Sequence, residues 1–320
     1  MFISIIIPYH NRADLLSRTL KSIVIPSEMT AELILVDNLS TDTAPRVAQA
    51  FAQAVNEKKT NLGVRLATCE TPGASCARNT GLSLAKGEWT YFFDSDDEMT
   101  DDFFPDLIHH IKHHPEARLI CLCTHFLSPQ GKLTRRQVQH TASPVDQLLS
   151  GHLATLNMVF RTSVIRQMGG WNSTLRIWDD WELGLRALLT LPDNTVSWMR
   201  PKAYHHIHIH SNSITGPDFT SAYPRLRFPL QAARALISHK PSDKLFVALA
   251  CREAILAGHL HREGSTDLAA DMLRQAKRDA HPRHNPFLAP FCQLLIHLLK
   301  TYTAIGGRGA WAIARMLIPH

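Results

Sequence analysis

Gly87-Glu-Trp-Thr-Tyr-Phe-Phe-Asp-Ser-Asp-Asp97 is the stretch on which the reading of this chain turns. Its apolar and aromatic run, Trp89 to Phe93, predicts a buried strand. At the end of that run three carboxylates fall within four residues: Asp94, Asp96 and Asp97. Carboxylates so close repel one another and are costly to hold without a cation or a basic partner. Oxygen-only ligands at the carboxyl end of a strand suit a hard divalent ion that keeps positions open for phosphate oxygens. A second reading needs no metal. With Asp101 and Asp102, these acids could serve as cap and first-turn residues of a helix whose apolar spacing runs through Phe103, Phe104, Leu107, Ile108 and Ile111.

Outward from this stretch, strand and helix alternate. Strands are expected at Ile3–Ile7, Glu32–Val36, Val64–Thr68, Trp89–Phe93 and Leu119–Cys123. Helices are expected at Leu15–Val24, Ala44–Val55, Ser75–Ala85 and Phe103–His113. The alternation predicts an α/β fold, a mostly parallel sheet with helices on both faces. Ligands on such sheets gather at the carboxyl ends of strands. Polar clusters follow three of the strands, at Pro8–Arg12, Asp37–Asp42 and Asp94–Asp97. The first strand is followed by neither G-x-G-x-x-G nor a Walker A sequence, which disfavours a dinucleotide dehydrogenase and a P-loop NTPase.

From about Pro217 the texture becomes helical: Ala222–Ser238, Lys244–His261, Ser265–Arg278, Pro286–Lys300 and Ala310–Leu317. Two domains are therefore expected, residues 1–216 and a helical, basic region at 217–320. The net charge of +6 is uneven: residues 1–216 hold 20 Lys and Arg against 21 Asp and Glu, and residues 217–320 hold 14 against 7. Without an aromatic-interleaved basic stripe, this does not point to nucleic acid. The apolar segment 286–320 is expected either to pack as a buried helix or to touch a membrane surface through its Lys and Arg residues. The opening residues lack a basic leader and read as a core strand, and no run reaches transmembrane length. Six cysteines show no C-x-x-C spacing, so buried reduced thiols and a cytoplasmic location are expected.

These ordered motifs resemble glycosyltransferase family 2, whose fold is GT-A, over roughly residues 1–215. The resemblance rests on Ser4-Ile-Ile-Ile-Pro8-Tyr-His-Asn11-Arg12, Leu35-Val-Asp37-Asn38-Leu-Ser40-Thr-Asp42, Gly73-Ala-Ser75-Cys-Ala-Arg78-Asn79-Thr-Gly81, Phe93-Asp94-Ser95-Asp96-Asp97 and Trp178-Asp179-Asp180-Trp181. Two positions depart from the usual pattern: Asn38 stands where Asp is commoner, and Asp179 where Glu is usual. The resemblance implies an inverting sugar transfer from a nucleoside-diphosphate sugar to a saccharide or lipid-linked acceptor, in bacterial surface polysaccharide or lipid-linked saccharide synthesis. It implies donor binding by Pro8, Asn11, Arg12, Asp37, Arg78, Asn79, Asp94 and Ser95, with Asp37 accepting from the base ring. Asp96 would hold Mg²⁺ or Mn²⁺ and Asp180 would be the general base, with Asp97, Asp179 and Trp178 as further candidates. Arg78 could equally be a salt bridge that locks helix to sheet, and Asp179 and Asp180 could cap a helix.

The run Tyr204-His-His-Ile-His-Ile-His210 places His206, His208 and His210 on one strand face by alternation. The family element matched by His210, Ser213 and Thr215 implies that His210 completes the metal shell or touches the diphosphate. His205, His206 and His208 read as surface or acceptor-side residues. Two competing functions are a catalytically inactive nucleotide-sugar-binding scaffold, which would not need Asp180, and a sugar-phosphate nucleotidyltransferase, which would want a glycine-rich first loop.

Overall fold

The computed structural model describes residues 1–58, 60–127, 133–135, 143–208, 218–280 and 286–318. They divide into two compact units. The first comprises Met1–His140, Leu153–Leu183 and Leu191–Ser211; the second comprises Thr141–His152, Gly184–Thr190 and Asn212–His320. The second unit is thus not contiguous in sequence.

The first unit is built on a sheet of β1 (Phe2–Tyr9), β2 (Thr30–Asp37), β3 (Leu62–Thr68), β4 (Trp89–Phe92), β5 (Glu98–Met99), β6 (Leu119–Leu127), β7 (Leu133–Arg135), β8 (Met158–Arg161) and β9 (Val196–His208), in the order β3-β2-β1-β4-β8-β6-β9-β5 with β7 beside β6. The first four strands are parallel to one another. β1 and β2 are buried along nearly their whole length, as strands covered on both faces must be. β8 then runs antiparallel between β4 and β6. β9 lies parallel to β6 with two register shifts, and β5 pairs antiparallel with its far end.

The connecting helices are α1 (Ala13–Lys21), α2 (Ala44–Glu57), α3 (Ala74–Leu84) and α4 (Phe103–His113). α1, α2 and α4 turn apolar stripes to the sheet. α3 sits closest: a Cβ on Gly81 would lie 2.3 Å from Ile6 Cγ2, so only glycine lets this helix lie so near the sheet. That close approach brings Ser75 and Arg78, one turn earlier on the same helix, over the strand ends.

The second unit holds α5 (Pro144–Ser150) and, after α6 (Thr162–Gln167) and the start of α7 (Asp179–Thr190) in the first unit, α8 (Phe219–His239), α9 (Asp243–Arg262), α10 (Thr266–Asp279), α11 (Ala289–Ala304) and α12 (Ala310–Leu317). α9 is the central helix, buried from Leu245 through Gly258 among α5, α8, α10, α11 and α12. Two of its buried residues are charged. Arg252 donates to the carbonyls of Leu148 (2.7 Å) and Leu149 (3.2 Å), which the end of α5 leaves without helical donors. Glu253 is met by Arg234 at 2.5 Å, and the same guanidinium reaches Asp279 at 2.7 Å. Among the described residues no helix is long and apolar enough to cross a membrane. All six cysteines are free thiols, five of them buried.

Candidate active site

The site is assembled from four loop starts. At the end of β1 the backbone turns through two left-handed residues, Asn11 (φ 58°) and Arg12 (φ 64°). This conformation costs a non-glycine residue free energy and persists only where surroundings enforce it. The enforcing contacts are visible. The Asn11 Oδ1 accepts from Thr41 N (2.8 Å) and Asp42 N (3.2 Å), and Asn11 N donates to Ser40 Oγ (2.8 Å). The β2 loop is therefore pinned to the β1 loop. In turn Asp37 accepts from Ser40 N, and Leu39 is left-handed as well. Buried Asn38 donates to the carbonyls of Cys69 and Thr71 and accepts from Gly73 N at 2.7 Å, which anchors the start of α3.

The acidic cluster lies in the loop Phe93–Asp97 between β4 and β5. Each carboxylate has a different partner. Asp94 meets Arg78 at 2.8 Å, Asp96 meets Arg12 at 2.6 Å, and buried Asp97 accepts from the backbone N–H of His208 at 3.0 Å. Backbone contacts hold the loop: Arg18 donates to Asp96 O and Thr19 to Asp97 O. Burial, joined by repulsion from Asp94 and Asp96, pushes the Asp97 carboxyl up to about 9. Withdrawal from water also raises Asp94, against the pull of Arg78. The cap reading does not describe these acids, because α4 starts only at Phe103 and Asp102 before it makes no side-chain cap bond.

The fourth start is that of α7. Trp178, just before it, is left-handed at φ 57°, a rare state for a bulky residue. The turn sets Asp179 and Asp180 in the first helical turn, where the N-terminal dipole favours anions. Asp179 accepts from Ser75 Oγ (2.5 Å) and from Arg78 Nη1 (2.9 Å). Arg78 thus bridges Asp94 at the end of β4 to Asp179 at the start of α7, with its guanidinium 4.4 Å over the Trp171 ring. This is the salt bridge that locks helix to sheet, and it orients the acidic cluster as well. Asp180 accepts from Trp181 N (2.7 Å) and Thr155 N (3.3 Å). Burial and the neighbouring Asp179 raise its carboxyl to about 6, while Arg78 pulls the other way.

Some expected residues turn elsewhere. The side-chain amide of Asn79 is taken up by Trp171, donating to its carbonyl and accepting from its N–H, each at 2.8 Å. Pro8 is buried within β1 opposite Val36, and Ser95 lies on the turn between the first two carboxylates. His210, Ser213 and Thr215 lie outside the described residues. His205 is not a surface residue. It is fully buried, bonded to the Tyr91 hydroxyl at 2.7 Å and packed on Tyr91, Phe93 and Phe103, with burial lowering it to about 3. Tyr204 and His205, neighbours on β9, are both fully buried, as on a strand covered on both faces. His208 is half-buried, 3.4 Å from Glu98. Thr155 enters the site with no signal in the chain, whereas Ser75 lies within the motif that carries Arg78, and Trp171 packs beneath the Arg78 guanidinium. Among the described residues no group of three or more His, Cys, Asp or Glu side chains is arranged to hold a metal ion.

The chain is similar to known proteins in both sequence and structure. In sequence it is 30% identical over 106 residues to the uncharacterized glycosyltransferase YibD of Escherichia coli, covering 33% of this chain and 29% of YibD. It is 24% identical over 305 residues to the poly(ribitol-phosphate) beta-N-acetylglucosaminyltransferase TarS of Staphylococcus aureus, covering 92% of this chain and 49% of TarS. The chain thus spans half or less of these curated relatives. In structure it matches S. aureus TarS 1–349 in complex with UDP-GlcNAc, with TM-score 0.63 and 18% identity over 99% of this chain and 92% of that one. The mannosyltransferase PcManGT of Pyrobaculum calidifontis, in complex with GDP-Man and Mn²⁺, matches with TM-score 0.56 and 17% identity over 98% and 86%. These likenesses establish the GT-A fold. The profile of glycosyl transferase family 2 matches residues 4–169, just over half of the chain, and to that family the chain belongs.

Proposed function

We propose that this protein is a metal-dependent, inverting glycosyltransferase. It moves a sugar from a nucleoside diphosphate to the hydroxyl of a saccharide or lipid-linked acceptor, in the cytoplasm, in the synthesis of a bacterial surface polysaccharide. The observation that carries this reading is the Arg78 bridge, which joins the acidic strand end that would face a diphosphate to the helix start that carries Asp180. The donor class is supported by the ligands of the two structural neighbours, UDP-GlcNAc in one and GDP-Man in the other.

The acidic loop fits a hard divalent cation. Its donor atoms are all oxygens, and burial, joined by repulsion from Asp94 and Asp96, holds Asp97 near 9. Asp96 and Asp94 would hold Mg²⁺ or Mn²⁺, with His210 as the expected third protein ligand. When bound, the ion neutralises charge that develops on the departing diphosphate. Asp37 accepts a hydrogen bond from the base, and Arg12 and Arg78 offer planar forks for phosphate oxygens. Pro8, Asn11, Asn79 and Ser95 shape the donor cleft around them. Asp180 accepts the proton of the acceptor hydroxyl as that oxygen attacks the anomeric carbon. Asp179 is tied to the side chains of Ser75 and Arg78, whereas Asp180 is held by the backbone N–H groups of Trp181 and Thr155. One base and no second nucleophile agrees with inversion.

The test is nucleoside diphosphate release from UDP-, dTDP- and GDP-sugars in Mn²⁺ or Mg²⁺, with a panel of saccharide acceptors. Metal-dependent release confined to one base, and lost in Asp96→Ala, is the expected result. Tight donor binding with no turnover on any acceptor would favour the inactive scaffold instead.

A further inference from the structure

α11 is apolar on two sides. One side, Cys292, Leu295, Ile296, Leu299 and Thr303, is buried against α9. The other faces water: Phe291, Leu294 and Leu298 are 40%, 66% and 49% exposed, at spacings of three and four residues that put them on one face. Phe287 before the helix (92%) and Ile305 after it (80%) extend the same exposed series. A helix that is hydrophobic all round is normally buried, and exposed apolar patches of this kind mark interaction surfaces.

The surroundings say what covers it. Beyond Asp279 the sequence has no Asp or Glu as far as His320, while Arg283, Lys300, Arg308 and Arg315 all fall in this span. Arg315 is committed to Asp146. Lys300 lies half-buried within α11 and Arg308 is exposed just beyond the helix, while burial, with Lys277 and Lys300 nearby, lowers the pKa of His297. A second copy of this chain would bring like charge against like charge across a two-fold interface. Anionic headgroups complement the same rim, and acyl chains the apolar face. We propose that the exposed face of α11, with Arg308 just beyond its end, docks the second unit into the interface of an anionic lipid bilayer. This surface lies outside the residues assigned to sugar transfer, and the inference stands whether or not that chemistry is confirmed.

The experiment is flotation of the full chain with phosphatidylcholine vesicles, with and without about one third phosphatidylglycerol. Two variants are compared with wild type, Leu294→Gln/Leu298→Gln and Lys300→Gln/Arg308→Gln. All four side chains lie at or near the surface, so thermal melting is expected to match wild type, and donor-binding titration reports the other unit. Wild type is expected to float with the anionic vesicles only, and each variant to bind at least about tenfold more weakly. Absence of wild-type binding, equal binding to neutral vesicles, or variants that bind like wild type would overturn the proposal. So would a sedimentation dimer that dissociates in Leu294→Gln/Leu298→Gln without any vesicle binding, which would give the face to a second copy.

Discussion

Two clusters of carboxylates and arginines, one in each unit, are made differently. In the second unit Arg234 joins Glu253 and Asp279 between three regular helices, and all three residues have ordinary helical backbones. The acids are almost fully covered, and burial pushes Glu253 up to about 8. In the first unit Asp94, Asp96, Asp97, Asp179 and Asp180 share the guanidinium groups of Arg12, Arg18 and Arg78 at loop starts, several of them partly exposed. Among the described residues every left-handed residue other than glycine, namely Asn11, Arg12, Leu39 and Trp178, lies beside this second kind of cluster. A cluster that only stabilises a fold needs no backbone strain. The strand-end cluster carries such strain, held by surroundings that over-determine it.

The comparison breaks first if substitutions at the strand-end cluster behave like structural ones. Asp180→Asn and Asp96→Ala are each expected to lower kcat/KM for sugar transfer by about 10³-fold or more, read from steady-state nucleotide release, while melting temperature holds or rises. The arginines give the next largest effects. Arg78→Ala and Arg234→Ala each strand two acids and are expected to destabilise by about 3–5 kcal/mol in denaturant unfolding. Donor affinity in the folded fraction should fall only for Arg78→Ala, so equal loss in both would erase the distinction.

A pH series sharpens the comparison. Asp180 must be ionised to accept a proton, so kcat/KM should rise with pH through about 6 and level above it. Stability runs the other way. The folded carboxyl titrates at about 6 against an ordinary 3.8, so its favourable contribution is complete below the lower value and is lost as pH rises through 6. Asp180→Asn should therefore melt about 2–4 °C above wild type at neutral pH and no higher below pH 4. The smallest effect concerns Trp178. Trp178→Gly removes the left-handed penalty, of about 1 kcal/mol, at the cost of a freer unfolded chain, so calorimetry should find stability nearly unchanged. The transfer rate should still drop, because Asp179 and Asp180 lose the turn that aims them.

How much of this was legible in the chain depends on whether the signal was local. The buried runs around Ile5, Leu33 and Trp89 became β1, β2 and β4 within a few residues of expectation, and α4 and α12 kept their expected bounds, because hydrophobic period acts locally. β8, four residues between a 3₁₀ turn and α6, carries too short a pattern to be read, yet it switches the sheet from parallel to mixed. His205 reads in the sequence as a surface or acceptor-side residue and lies in the core, because which neighbours cover a strand is set by strand pairing and not by composition. The motifs brought Asp94, Asp96, Asp179 and Asp180 together correctly as neighbours. They could not tell that the amides of Asn11 and Asn79 are spent on holding backbone, since which partner takes an amide is decided only once the chain is folded.

The Arg78 bridge also separates what must stay constant from what is free to vary. It ties two points far apart in sequence, Asp94 and Asp179, through a single residue on a helix that precedes both. The intervening stretch can then gain, lose or exchange segments without resetting the spacing between the acidic strand end and the start of α7. Through such a fixed gauge a family can diversify what it glycosylates while keeping the reaction itself in register.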